Sequence, residues 1–148
     1  MDKDLIKRLS YDKAFGILTR NALDEKINNL KKFNCIFIDL CNLKKLNNLL
    51  GYDSVNHIIK KMFTEYNKNK EYVIGRWFSG DEIIIITDDV ETALTKLINV
   101  SQIHNLSFKW VHWNNVKSVK EIETKVDNID LNTGDKINRE HKWNINLN

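Results

Sequence analysis

The chain has 148 residues, of which 42% are hydrophobic and 29% are charged. This size supports one hydrophobic core and is too short for two ordinary domains, so we predict a single domain over residues 1–148. The formal net charge is only +3, and this mild basicity does not indicate a protein that binds nucleic acid or membranes.

The cysteines and the amino-terminal segment indicate a cytoplasmic protein. Cys35 and Cys41 lie in or beside one predicted strand, at a spacing that suits neither a disulfide framework nor a zinc site. The first ten residues lack the apolar core of a signal peptide, and no segment approaches the roughly 20 apolar residues of a membrane span. We therefore expect reduced thiols and no contact with a membrane.

The first predicted elements are a helix and a buried strand. Leu23 and Ile27 recur at helical spacing after Thr19, whose hydroxyl group can cap the free amides of the helix. Residues 35–40, CIFIDL, form a short apolar run rich in β-forming residues, which predicts a buried strand. The strand ends at Asp39, and an acid in this position needs a partner.

Similar patterns predict the rest of the chain. The further elements are, in order, a helix over 42–51 that ends at Gly51, a helix capped by Asp53 or Ser54, strands over 71–77 and 82–87, a helix over 90–104 capped by Asp88 or Asp89, a strand over 106–113 and a weaker helix over 118–129. Gly80 permits a tight turn between the first two of these strands, which indicates a β-hairpin. This order predicts an α+β palm with a mainly antiparallel sheet flanked by helices. The polar residues from about 131 onward show no periodic pattern.

Three carboxylates mark the candidate site. Asp39 ends a buried strand, and Asp81 and Glu82 occupy the turn of the hairpin. Clustered carboxylates raise one another's pKa unless a cation lies among them, and oxygen ligands suit magnesium that is bound together with substrate phosphates. Lys44 follows about one turn later, where the start of a helix can present amides to phosphate oxygens. The combination indicates phosphoryl or nucleotidyl transfer.

Each feature also has a structural interpretation when it is considered alone. A Gly80-Asp81 pair is in most cases simply a turn, and Asp39 can cap a helix. Lys44 is typical of a solvated helix face, His57 of a helix surface, and the tryptophans of a core or an interface. The chemical hypothesis therefore depends on the combination and on its order along the chain.

Three segments resemble, in the right order, the motifs of GGDEF domains, the family of the diguanylate cyclases. The opening motif DxLTGLxNR is matched by YDKAFGILTRNALDE, and the segment FxDxDxFKxINDxxGHxxGD by FIDLCNLKKLNNLLGYDSVN. The hairpin motif R(x)GGDEF is matched by RWFSGDEIIII. The resemblance covers about residues 10–87, and there is no clear counterpart of the family's closing AD-ALYxAK-GRN segment. We predict a minimal GGDEF-like domain with a nucleotidyl-cyclase or polymerase palm, related to ferredoxin-like folds, whose motif-bearing part spans about residues 10–113.

The resemblance implies an enzyme of second-messenger signalling. Family members act as homodimers in which each protomer holds one GTP, and two 3′,5′ bonds close the ring of cyclic di-GMP. By resemblance, Asp39, Asp81, Glu82 and the backbone carbonyl of Leu40 bind magnesium or manganese. Asp39 and Asp81 are then catalytic through the metal, and Glu82 assists deprotonation of the attacking hydroxyl group. The implied substrate-binding residues are Lys44 at the phosphates and Asn47 and Asn56 at the base. Ser79 and Gly80 let the backbone of the hairpin approach the substrate closely.

Four positions depart from the family pattern. Cys41 replaces the second Asp, Ser79 replaces the first Gly, and Arg76 lies one residue further from the signature. Asn56 replaces an Asp that accepts hydrogen bonds from guanine. Because an amide offers a donor and an acceptor side by side, Asn56 can pair with adenine, so ATP or a mixed product is a further hypothesis.

Three functions remain open on these grounds. The first is an active magnesium-dependent cyclase, which the survival of Asp39, Asp81, Glu82 and Lys44 favours. The second is an inactive GGDEF-like domain that binds a nucleotide or a protein partner. The third is a relative of the CRISPR-polymerase palms, which make other cyclic nucleotides. Magnesium-dependent product formation separates the second from the others, and the identity of the product separates the first from the third.

Overall fold

The computed structural model describes residues 3–78 and 81–129, which form six helices and four strands. In chain order these are α1 (Lys3–Ser10), α2 (Arg20–Asn28), β1 (Phe33–Leu40), α3 (Leu43–Leu50), α4 (Tyr52–Tyr66), β2 (Val73–Arg76), β3 (Glu82–Thr87), α5 (Val90–Ile103), β4 (Phe108–Val116) and α6 (Val119–Asp127). Within this part of the chain, no helix is long and apolar enough to cross a membrane. The sequence did not predict α1.

The four strands form one antiparallel sheet in the order β2-β3-β1-β4. The two central strands, β1 and β3, pair from Asn34 opposite Thr87 to Asp39 opposite Glu82. Helices cover both faces, which explains why these two strands are almost continuously apolar in sequence. The predicted α+β class, the hairpin and the mainly antiparallel sheet are confirmed.

Two hydrophobic cores lie on opposite faces of the sheet, because successive side chains of a strand point to opposite sides. On one face, Ile36 and Ile38 pack in a core that includes residues of α4 and α5. On the other face, Cys35 and Phe37 pack with residues of α2 and α6. Asp39 follows on this second face, so the acid at the end of β1 lies on the same side of the sheet as α2 and α6.

The segment between α1 and α2 covers the outer edge of β2. The Leu18 amide donates to the Ile74 carbonyl at 2.9 Å, and the Arg76 amide donates to the Leu18 carbonyl at 2.9 Å. Leu18 thereby forms a parallel bridge with Gly75. This contact satisfies backbone groups that an edge strand otherwise leaves open.

The predicted start of α4 is wrong, whereas the predicted caps of α2 and α5 are confirmed at Thr19 and Asp89. We expected Asp53 or Ser54 to cap α4, but the helix begins at Tyr52. Gly51, at φ 87°, ends α3 and precedes α4 directly. A glycine adopts this conformation without strain, so the chain turns between the two helices without a side-chain cap.

Gly75 allows α2 to pack closely against β2, and Gly75→Ala is expected to destabilise the protein. A β-carbon at this position would lie 2.7 Å from the Leu23 β-carbon, and Leu23 is fully buried. Overpacking of this kind costs about 2 kcal/mol, measurable as a lower free energy of unfolding in urea. In the Leu23→Ala background the same change should cost much less, because the clashing side chain is gone. Equal costs in both backgrounds would contradict this account.

Candidate functional site

The end of β1 and the β2–β3 hairpin bring the three predicted acids together. Asp39 and Glu82 are direct partners across β1 and β3, so their side chains lie on the same face of the sheet. The Leu40 amide donates to the Asp81 carbonyl at 3.0 Å, which places Asp81 beside the end of β1. A hydrogen bond joins the carboxyl groups of Asp39 and Asp81. The expectation that these acids meet is confirmed, although their chemical roles remain predictions.

The electrostatics of this group favour a bound proton or cation. Burial raises the pKa of Asp39 to about 7, and the charge of Asp81, the hydrogen bond from it and the charge of Glu82 act in the same direction. Burial, followed by the charge of Asp81, also raises the pKa of Glu82. A cation between the two aspartates would relieve the repulsion that these shifts express.

Lys109 is a charged neighbour of the site that the sequence did not reveal. It lies on β4 directly opposite Asp39, and its charge opposes the rise in the pKa of Asp39. On this strand it lies on the same face as Val111 and Trp113, which pack in the second core. Its relation to Asp39 depends on the register of two strands separated by about 70 residues in sequence, which no local pattern specifies.

The acids fit a hard divalent cation as a pair. Across residues 3–78 and 81–129, no three His, Cys, Asp or Glu side chains are grouped so that they could hold a metal ion. Asp39 and Asp81 nevertheless present two adjoining carboxylates, which are the oxygen ligands that magnesium uses alongside substrate phosphates. Cys41 adds a half-buried thiol, whose Sγ lies 4.0 Å from the Asp39 carbonyl oxygen. Asp39 and Asp81 are therefore the carboxylates from which metal binding must be argued, because Glu82 is near them but does not complete a three-ligand group.

The start of α3 follows the acids along the chain. Asn42 precedes the helix in the left-handed conformation, at φ 58°, and its side chain makes no capping hydrogen bond. Lys44 lies in the first turn and is exposed. The opening of this helix therefore offers amides and an exposed cation, which is a combination that suits phosphate oxygens.

The two asparagines predicted to contact a base lie on successive helices. In the described part of the chain, the Asn47 amide oxygen on α3 is buried and lacks a hydrogen-bond partner. Asn56 on α4 lines an open pocket of about 430 Å³ together with Lys13, Ala14, Asp53, His57 and Lys60. None of the three acids lines this pocket, so the structure does not join Asn56 to them in one cavity.

Two predicted residues, Ser79 and Gly80, lie outside the described residues, as does the polar segment after residue 129.

A pocket of about 470 Å³ between the 11–18 segment and α4 contains none of the predicted site residues. Its volume alone does not make it the site, because the titratable groups with shifted pKa values at the hairpin are elsewhere.

An ion pair connects the first and third motif segments. Arg76 Nη1 lies 3.2 Å from Asp12 Oδ2, and the same oxygen accepts a hydrogen bond from the Phe15 amide at 2.7 Å. The Arg76 guanidinium also lies 4.0 Å from the centre of the Phe15 ring. Arg76 thus holds the end of β2 against the 11–18 segment despite its altered distance from the signature.

No family model and no curated protein matches the chain in sequence. In three dimensions it is similar to a microbial GGDEF domain from a study of its interaction with cyclic di-GMP, at 19% identity, a TM-score of 0.65, and coverage of 84% of this chain and 89% of that one. It is also similar to the GGDEF domain of DgcB from Caulobacter crescentus in complex with c-di-GMP, at 12% identity and a TM-score of 0.61, with 88% and 90% covered.

A third similar structure is the diguanylate cyclase SiaD from Pseudomonas aeruginosa in complex with its activator SiaC, at 12% identity and a TM-score of 0.60. The alignment covers 84% of this chain and 58% of the SiaD chain. At such low identity, these three similarities concern the fold. They match the fold that the three motif segments had predicted.

Proposed function

Because this chain has the fold of GGDEF domains, we propose that it is a magnesium-dependent nucleotidyl cyclase that joins two nucleoside triphosphates into a cyclic dinucleotide. The observation that carries the proposal is the hydrogen-bonded carboxyl pair of Asp39 and Asp81, half buried opposite Glu82. Such a pair costs stability, and strongly shifted carboxyl groups concentrate at functional sites. Two of the similar structures concern cyclic di-GMP, one as a complex and one from a study of its interaction with a GGDEF domain, and we propose cyclic di-GMP as the product.

In this proposal, Asp39 and Asp81 hold the divalent cation, with the backbone carbonyl of Leu40 as a further ligand. When bound, magnesium or manganese neutralises the triphosphate and lowers the pKa of the attacking hydroxyl group. Glu82 accepts the proton of the 3′-hydroxyl, and its raised pKa makes it a stronger base than an ordinary glutamate. The 3′-oxygen attacks the α-phosphorus, and pyrophosphate leaves.

The remaining predicted residues position the substrate. The open start of α3 and Lys44 bind the phosphates, and the hairpin at Ser79 and Gly80 approaches them closely. Asn47 contacts the base from α3, and Asn56 contacts it from α4. One chain carries one set of acids, so we propose a homodimer, at least a transient one, in which each protomer supplies one triphosphate. The cytoplasm is the location consistent with these substrates.

The test is incubation of the purified protein with each of the four nucleoside triphosphates, singly and pooled, with magnesium, manganese or EDTA. Mass spectrometry of the products is expected to show a cyclic dinucleotide that requires the metal. If the folded protein makes no product under any of these conditions, it is not a cyclase.

A second candidate function is an inactive GGDEF-like domain that binds a nucleotide or a protein. Cys41 in place of an acid favours it, as does the finding that no three acids among the described residues are grouped so that they could hold a metal ion. Calorimetric titration with each triphosphate and with cyclic di-GMP distinguishes the two functions. Binding without turnover supports the second.

Asn56→Asp is expected to shift base preference toward GTP. A carboxylate accepts hydrogen bonds from the guanine edge, whereas the wild-type amide can also pair with adenine. From a mixture of GTP and ATP, we expect the incorporation ratio to change by about tenfold toward guanine. Asn48→Asp, an exposed position on α3, is the matched control for the added charge. An unchanged ratio in the Asn56 variant would show that this residue does not read the base.

A further inference from the structure

Arg20, the first residue of α2, reaches the start of the hairpin loop. Its guanidinium lies 3.7 Å from the centre of the Trp77 ring, and its Nη1 lies 3.5 Å from the Trp77 carbonyl oxygen. Asp24, one turn along α2, holds Arg20 Nε at 2.8 Å. On its other side, Nη2 lies 3.8 Å from a carboxylate oxygen of Glu123 on α6. One side chain therefore joins two helices and the hairpin.

Trp77, which Arg20 contacts, is also hydrogen-bonded to a residue of the candidate site. The Trp77 amide donates to the Glu82 carbonyl at 2.8 Å, which closes the base of the loop. The Trp77 side chain is 4% exposed and packs in the second core. Arg20, Trp77 and Glu82 line one pocket of about 290 Å³ with Phe78, Glu123, Val126 and Asp127. A shift of Trp77 would therefore move Glu82 relative to Asp39.

The start of the hairpin loop is thus held on both faces of the sheet. Arg76 is bound to Asp12, and the next residue, Trp77, lies under Arg20. Because neighbouring residues of a strand point to opposite faces, these contacts restrain the start of the loop on both sides of the sheet. The extra residue before the signature is Trp77 or Phe78, and the Arg20 guanidinium lies near both rings, 3.7 Å from the centre of the Trp77 ring and 5.9 Å from that of Phe78.

We propose that Arg20 is a positioning residue that sets the placement of Glu82 through Trp77. Its planar guanidinium stacks on the indole ring of Trp77 and at the same time donates to Asp24. The stacking and the ion pair together fix the position of the ring relative to α2. Lysine retains the charge but has no plane to stack and no forked donors. The role of Arg20 in turnover rests on the proposed function, whereas its effect on the position of Trp77 does not.

The experiment compares Arg20→Lys with the wild type in turnover and in amide hydrogen exchange by NMR. We expect kcat to fall by about tenfold or more, with a smaller change in KM, because small misplacements of a catalytic group act mainly on the chemical step. The Trp77 amide should exchange at least about tenfold faster, while amides at the centre of β1, such as that of Ile36, stay protected. Glu25→Ala, an exposed position on the same helix, is the matched control.

The two measurements separate the inference from the proposed function. If the wild type makes no product, the cyclase proposal fails, and the exchange of the Trp77 amide still decides whether Arg20 holds the loop. If Arg20→Lys retains both wild-type kcat and wild-type exchange at Trp77, the inference is overturned. Faster exchange throughout β1 and β3 would also overturn it, since this would indicate a general loss of stability.

Discussion

Asp81→Ala is expected to abolish formation of the cyclic dinucleotide. The change removes one of two adjoining carboxylates, and with it most of the affinity for the cation that neutralises the triphosphate. Since metal-ion catalysis supplies several kilocalories per mole of transition-state stabilisation, the rate should fall by about 10³-fold or more. The measurement is the initial rate of product formation at saturating magnesium, followed by mass spectrometry.

A matched control separates this effect from a general loss of an acid. Asp88 lies at the opposite end of β3 and is exposed, so Asp88→Ala changes the net charge equally and should leave the rate unchanged. In the Asp81 variant the pKa of Asp39 should fall, because the charge of Asp81 contributes to its elevation. An active Asp81→Ala protein would contradict the assigned role of the carboxylate pair.

The second large effect is a gain of stability in Asp39→Asn at alkaline pH without metal. The pKa of Asp39 rises from 3.8 to about 7 on folding, so the folded protein binds a proton that the unfolded chain releases between these values. Stability from this group is complete below about pH 4 and is lost as the pH rises through about 7. Asparagine cannot ionise, so it escapes this loss.

The expected magnitude follows from the size of the shift and the exposure of the site. Each pKa unit corresponds to about 1.4 kcal/mol, and solvent screening of the half-buried carboxyl group reduces the total to about 1–2 kcal/mol. Urea unfolding in EDTA should show Asp39→Asn more stable than the wild type by this amount at about pH 8, with little difference at about pH 4. Asp88→Asn is the control. If Asp39→Asn is no more stable than the wild type at alkaline pH, ionisation of Asp39 does not destabilise the folded protein.

Both variants address the same physical conflict. The wild-type protein keeps two carboxylates in contact although their repulsion destabilises the fold, and the proposed cation removes that repulsion. We therefore expect the loss of activity in Asp39→Asn to accompany a gain in stability, as is common when a site is built for function. If the pair had a structural role, Asp39→Asn would instead lower the free energy of unfolding.

The sequence by itself determined most of the local structure and the location of the acids. The apolar run before Asp39 predicted β1, because length and β-branched residues distinguish a buried strand. Gly80, Asp81 and Glu82 between two such runs predicted the hairpin, and Thr19 and Asp89 predicted two caps. These features depend on residues within a few positions of one another, so a local pattern is sufficient to predict them.

Only the tertiary structure decided which residues surround those acids. Lys109 faces Asp39, Arg76 pairs with Asp12, and Arg20 stacks on Trp77, across separations of 57 residues or more for the two arginine contacts. Such pairs follow from strand register and helix packing, which depend on the whole core rather than on a local pattern. The start of α4 was mispredicted for a related reason, since the Gly51 backbone replaced the side-chain cap that composition suggested. The location of the acids could therefore be predicted from the sequence, whereas their electrostatic balance and their support required the folded chain.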